Sequence, residues 1–151
     1  MKDVLIRNGR WLAGTNHDAT TSVGLLILRV GIGGLMAFAH GGSKLMSFGA
    51  LRTTFPDPLG IGSQTTVLLV IFAEFFCALA LMFGAATRLV AIPLIINMTV
   101  IVFVVHAADP WARQEFGLLF LIPFLVLFFT GAGRYSVDAL VGNKLLERDA
   151  N

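Results

Sequence analysis

Six residues of this chain carry side chains suited to chemistry and sit where such side chains need a reason: Arg29, His40, Lys44, Glu74, His106 and Glu115. Glu74 lies deep in an apolar run, nine residues past Thr65, or roughly 14 Å at the rise of a helix. Arg29 interrupts another run eight residues past Thr21, roughly 12 Å in from the opposite end. Ionisable groups cost several kcal/mol in such surroundings, so each needs a partner or a task. The depths predict that Arg29 and Glu74 meet. They would form either a buried ion pair that sets helix register or the polar wall of a ligand or proton site. His40 and His106 close apolar runs and Glu115 opens one, so all three should gather at one end, with Lys44, Asp109 and Arg113 nearby. Imidazole exchanges protons near neutral pH. Imidazole with carboxylate also suits several divalent metals, but no paired H-x-x-x-H spacing preassembles such a site, and no metal is assigned.

The elements that must position these groups are four apolar stretches, Thr21–Ala39, Thr65–Phe83, Leu89–Val105 and Phe116–Thr130. About 20 mainly apolar residues in a helix span a hydrocarbon core of roughly 30 Å. The first two stretches reach that length, and the others approach it once their polar ends are placed in the interface. Hydrophobic residues make up 56% of the chain and charged ones 13%, with a mean hydropathy of +0.82. A soluble domain of 151 residues has too much surface for its volume to hide that apolar area. The fold expected is therefore all-α, an integral membrane four-helix bundle with a long outer loop between helices 1 and 2. The lipid bilayer is its first partner. Residues 1–20 read as an N-terminal tail without the apolar core of a signal peptide, 21–141 as the transmembrane domain and 142–151 as a C-terminal tail.

Basic residues sort by connection. Lys2, Arg7, Arg10, Arg88, Arg134, Lys144 and Arg148 fall on one side and Lys44, Arg52 and Arg113 on the other. Seven against three places both tails in the cytoplasm of a bacterial or archaeal cell membrane. A net charge of +2 without a basic, aromatic-interleaved stripe gives no reason to expect nucleic acid. Cys77 stands alone, which excludes an intramolecular disulfide and any C-x-x-C shuttle; it reads as a small buried residue. There is no phosphate loop, nucleophile elbow or dinucleotide fingerprint, so no cofactor is evident. One that does bind must be lipid-soluble, a metal, or held by a partner.

Gly33, Ala37 and Gly41 recur every fourth residue and give the first helix a face for close helix packing. Gly41-Gly42 is expected to loosen or end that helix. In the following connection, Ser43–Phe55 is irregularly amphipathic and suits a short interfacial helix. Phe55–Gly62 is too rich in Pro and Gly to be regular. Pro93 and Pro123 fall inside the third and fourth helices, and Arg88 and Arg134 are expected at the inner interface. Ser136 or Asp138 could cap a short terminal helix through Leu140 and Leu145–Leu146.

His40-Gly41-Gly42-Ser43-Lys44 resembles the H-G-x-x-K signature at the end of the first helix of DoxX-family membrane proteins. Phe72-Ala73-Glu74, Thr87-Arg88-Leu89 and Glu115 with Leu118-Leu119 occur in the same order as in that family. Gly131-Ala132-Gly133-Arg134-Tyr135-Ser136-Val137-Asp138 is similar to its terminal G-P-G-R-Y-S-L-D, departing at Ala132 and Val137. The resemblance covers about 22–141 and implies a four-helix inner-membrane subunit of a quinone-linked oxidoreductase system, with a soluble or membrane redox partner. On that reading Glu74, Arg29, His40, His106 and Glu115 are the candidate catalytic residues. Arg29, Glu74 and Lys44 are the candidate quinone-binding ones. Two other classes remain: a non-catalytic membrane scaffold for a soluble redox partner, and a small transporter or channel built as an oligomer.

Overall fold

The computed structural model describes the backbone of residues 17–150 and side chains to residue 144. Lys2, Arg7 and Arg10 of the tail lie outside the described residues, as do the side chains of Leu145, Leu146 and Arg148. Among the described residues six helices follow in order: α1 Ala19–Met46, α2 Phe48–Thr54, α3 Ser63–Phe83, α4 Thr87–Val105, α5 Trp111–Thr130 and α6 Val137–Ala150. Helices α1, α3, α4 and α5 are each long and apolar enough to cross a bilayer. Ile27, Phe38, Leu69, Phe76, Ile96, Phe103 and Leu119 project outward along them. An apolar belt of that extent is unstable in water and is resolved by lipid.

The four helices run alternately up and down. One end carries the 47–62 and 106–110 connections (the loop end), and the other carries the start of α1, the turn at Gly84 and the 131–138 segment (the tail end). The small-residue face of α1 holds the bundle together. Ala37 is fully buried. A Cβ at Gly33 would stand 3.0 Å from the Ala78 carbonyl oxygen, and one at Gly41 only 2.5 Å from the Glu74 backbone. Helices packed without a hydrophobic drive depend on such close approach. The core between them contains Met36, Ala78, Leu81, Leu94, Met98 and Phe124.

Gly41-Gly42 does not end the first helix, contrary to expectation. The helix widens into a π-helical stretch over Leu35–Gly41 and continues to Met46. Glycines here serve contact with α3, and no residue near them has a positive φ that would break the helix. Beyond it, α2 is the short helix anticipated in 43–55. The irregular 55–62 segment is organised by Asp57, whose carboxylate accepts from the Ile61 and Gly62 N–H groups and the Thr66 hydroxyl.

At the tail end, residues 131–138 lace the spans together. Asp138 accepts from the Ala86 and Thr87 N–H groups at 2.6 and 2.9 Å, and so caps α4 from another element. Ser136 Oγ accepts from the Ala139 N–H and starts α6. Arg88, at the first turn of α4, is buried and donates to the Phe129 carbonyl at the end of α5.

Arg29 belongs to this same end. It is 2% exposed. Its Nη1 donates to the Met82 carbonyl at 2.8 Å and its Nη2 to the Tyr135 carbonyl. A guanidinium at the last carbonyls of α3 satisfies orphan acceptors and opposes the negative end of the helix dipole. The expected pair with Glu74 does not form. Met82, Arg29's neighbour, lies eight residues from Glu74, about 12 Å along α3. The reason is an overhang: α1 begins ten residues before Arg29 and packs its first turns on the 131–136 segment, below the end of α3.

Candidate functional site

Three spans widen into π-helical turns: Leu35–Gly41 in α1 and Ile101–Val105 in α4 toward the loop end, and Phe72–Cys77 near the middle of α3. A π turn inserts a residue and re-aims those that follow, and such turns are frequent at functional sites. Here they surround one cavity. Met36 and His40 come from the first, Glu74 from the second and Ile101 from the third. Lys44, Met98, His106, Arg113, Phe116, Gly117 and Phe120 complete a chamber of about 180 Å³. That is below the roughly 300–1,000 Å³ of pockets for drug-sized molecules, so it suits a single ring or small head group.

Glu74 is the buried charge of the chamber, 2% exposed. Its Oε2 accepts from Lys44 Nζ at 2.5 Å and its Oε1 from Asn97 Nδ2 at 3.0 Å. The carboxylate thus ties α1, α3 and α4 together, and Lys44 takes the partner role expected of Arg29. Lys44 keeps 24% of its side chain exposed, so the pair reaches from the interior to the rim. His40 and Lys44 are four residues apart and share a face of α1. Gly41 between them lets that face approach the Glu74 backbone.

The His40 ring packs edge-on to Phe120 at 5.3 Å and tilted to Phe116 at 5.9 Å. Its imidazole makes no hydrogen bond among the described residues. His106 Nδ1 lies 2.7 Å from Asp109 Oδ2, and Arg113 Nη1 donates to the same oxygen at 3.1 Å. Asp109 lies outside the membrane-spanning helices. The His106 hydrogen bond first, then Arg113, hold its carboxyl below the usual carboxylate range.

The structure therefore gathers His40, Lys44, Glu74 and His106, with Arg113. Two candidates fall elsewhere. Arg29 is at the tail end. Glu115 is exposed on α5 and does not line the chamber, because Gly117 and Phe120 turn the opposite face of that helix inward. Asn97 was not singled out from sequence, although a lone amide in the apolar run 94–105 is a signal: buried, it must find a polar partner. The walls Met36, Met98, Phe116 and Phe120 carry no chemical signal of their own. Among the described residues no group of three or more His, Cys, Asp and Glu gathers to hold a metal. A second, mainly apolar hollow of about 290 Å³ lies between α3 and α4 under Pro58–Ile61, with Asn97 in its wall.

Four crossing helices around a small charged chamber define a multi-pass membrane protein with a polar site at one end of its bundle. The DoxX family model matches residues 24–107, more than half of the chain, and the protein belongs to the DoxX family. No curated protein and no solved structure matches it.

Proposed function

We propose that the protein is the membrane subunit of a quinone-linked redox system and that the loop-end chamber takes the quinone head group. The observation that carries this reading is the buried Glu74 carboxylate, held by Lys44 and Asn97 in a chamber with two histidines and aromatic walls. The donor set fits such a group. Lys44 and Arg113 offer N–H donors to ring oxygens, the His40 imidazole makes no hydrogen bond among the described residues, and Phe116 and Phe120 supply the flat apolar wall. A quinone, when bound, accepts two electrons and two protons, with the electrons supplied by a partner protein. The chain's own part is to orient and to manage protons. Lys44 pairs with one oxygen of the Glu74 carboxylate, and Asn97 fixes the other. His40 and His106 can each hold a proton at a ring nitrogen.

The same reading places both tails in the cytoplasm of the cell membrane, from seven basic residues in the sequence of the two tails and the connection before α4 against three in the other connections. The chamber then opens outward. The test is quinone retention in native nanodiscs, read by mass spectrometry. Protein extracted with its lipids should carry quinone near one per chain, and Glu74→Gln should lower that loading severalfold. A parent free of quinone in a quinone-replete membrane would overturn the proposal.

A further inference from the structure

We infer that Asp109 and His106 form a dyad in which His106 Nε2 is a general base toward a hydroxyl-bearing ring in the chamber, with Asp109 as its positioning residue. The inference rests on the head-group reading and extends it to the reduced, hydroxyl-bearing form of the ligand. His106 lines the chamber and Asp109 does not. The turn between them is stiff. Gln114 Nε2 donates to the His106 and Asp109 carbonyls at 3.0 and 3.2 Å, and Arg113 shares the Asp109 oxygen that faces the imidazole.

The protonation pattern follows from valence. Held below the usual range by two donors, the Asp109 carboxyl is ionised and can only accept. At 2.7 Å the shared proton therefore belongs to His106 Nδ1. A neutral imidazole has one N–H, so Nε2 keeps a lone pair, and it is the ring nitrogen left for the chamber. Other groups there are placed less well to take a ligand's hydroxyl proton. Each Glu74 oxygen already accepts one hydrogen bond, from Lys44 and from Asn97, and keeps a lone pair that can only accept a further one. Lys44 and Arg113 only donate. His40, from α1, is the one other ring with an open nitrogen, and it has no carboxylate to fix its tautomer.

In the step itself, the ligand O–H bond breaks and an N–H bond forms at Nε2. The oxyanion is left beside Lys44 and Arg113, and Asp109 balances the imidazolium, as the carboxylate does in hydrolase triads. No electron moves in this step. The proton leaves to water at the rim, where His106 and Asp109 are 29% and 32% exposed.

Nitrogen-15 NMR of histidine-labelled protein in nanodiscs, above the ordinary imidazole range, reads the tautomer directly, and His106→Phe assigns the signal. The parent should show Nδ1–H with a bare Nε2. Asp109→Leu should shift the population toward Nε2–H, and Asp109→Glu should restore it. In parallel, tert-butylhydroquinone should bind the parent roughly tenfold tighter than its dimethyl ether, a ratio set by about one hydrogen bond and lost in His106→Phe. An Nε2–H tautomer in the parent overturns the dyad. A bare Nε2 with equal affinities for the two probes overturns the base role alone. Binding of neither probe overturns the base role and the head-group reading together.

Discussion

Exchanging Glu74 for Gln removes one charge of a pair whose other member, Lys44, sits 2.5 Å away. Breaking a fully buried pair costs about 3–5 kcal/mol, because the survivor is left uncompensated. Lys44 is 24% exposed and can turn toward water, so the loss should fall lower, at about 2–3 kcal/mol. Lys44→Met leaves Glu74, 2% exposed, with Asn97 alone, and should cost about the same. With both changes neither charge of the pair remains in the chamber wall. The double variant should then lose no more than either single one, a coupling of roughly 2 kcal/mol. Arg29→Met provides the contrast. Arg29 holds Met82 and Tyr135, about 12 Å from Glu74 by helix rise. Its loss should add to that of Glu74→Gln within about 0.5 kcal/mol. Reversible unfolding in mixed micelles measures both cycles. Near-zero coupling for Lys44 and Glu74, or coupling above about 1 kcal/mol for Arg29 and Glu74, would refute the assignment of partners.

Other consequences are independent of that pair. Gly41→Ala drives a Cβ to 2.5 Å from the Glu74 backbone and should cost about 1–3 kcal/mol, whereas Gly31→Ala, with open space around it, should be neutral or stabilise by up to about 1 kcal/mol. Thermal melts of the two proteins side by side test this. Asp138→Ala strips the N-terminal cap of α4 and should lower stability by about 1–2 kcal/mol, seen as earlier amide exchange at Ala86 and Thr87. The Gly62 N–H first, with the Thr66 hydroxyl and the Ile61 N–H, holds the Asp57 carboxyl below its ordinary value of 3.8. A depressed folded-state value stabilises fully above the ordinary range and is lost as pH falls through the folded one. Limited proteolysis of the 55–62 segment should therefore accelerate below about pH 3.8 in the parent, and Asp57→Asn should be cut fast and without that pH step.

Hydropathy made the four spans legible, since length and apolar content are what a bilayer selects, but not all their ends: α1 runs seven residues past Ala39 and α5 begins five before Phe116. The turn-rich 55–62 segment and the Ser136 cap could be read for a similar reason: they depend on local side-chain chemistry, whereas Asp138, expected as a possible cap of the terminal helix, reaches across to cap α4. The pairing of Arg29 with Glu74 could not. Counting rise from assumed helix ends gives depth, but partners depend on where each helix begins and on its register. The overhang of α1 and three π turns change both, and no residue pattern announces them. Lys44 was read as lying at the end of a broken helix; continuation through Gly42 carried it to the Glu74 carboxylate. Glu115 failed for a simpler reason. Its place at the start of α5 was foreseen, but its side of the helix was decided by which residues pack inward at Gly117 and Phe120.

The central claim is that the loop-end chamber, and not the apolar hollow beneath Pro58–Ile61, receives a quinone head group. Photolabelling in nanodiscs with a short-chain azido-benzoquinone, followed by peptide mapping, tests it most directly. The account predicts adducts on α1 between Met36 and Lys44 and on α5 between Arg113 and Phe120, competed by unlabelled quinone and lost in the Lys44→Met, Glu74→Gln double variant. Adducts confined to 58–73 of the loop and α3, or labelling that the double variant leaves unchanged, would contradict it.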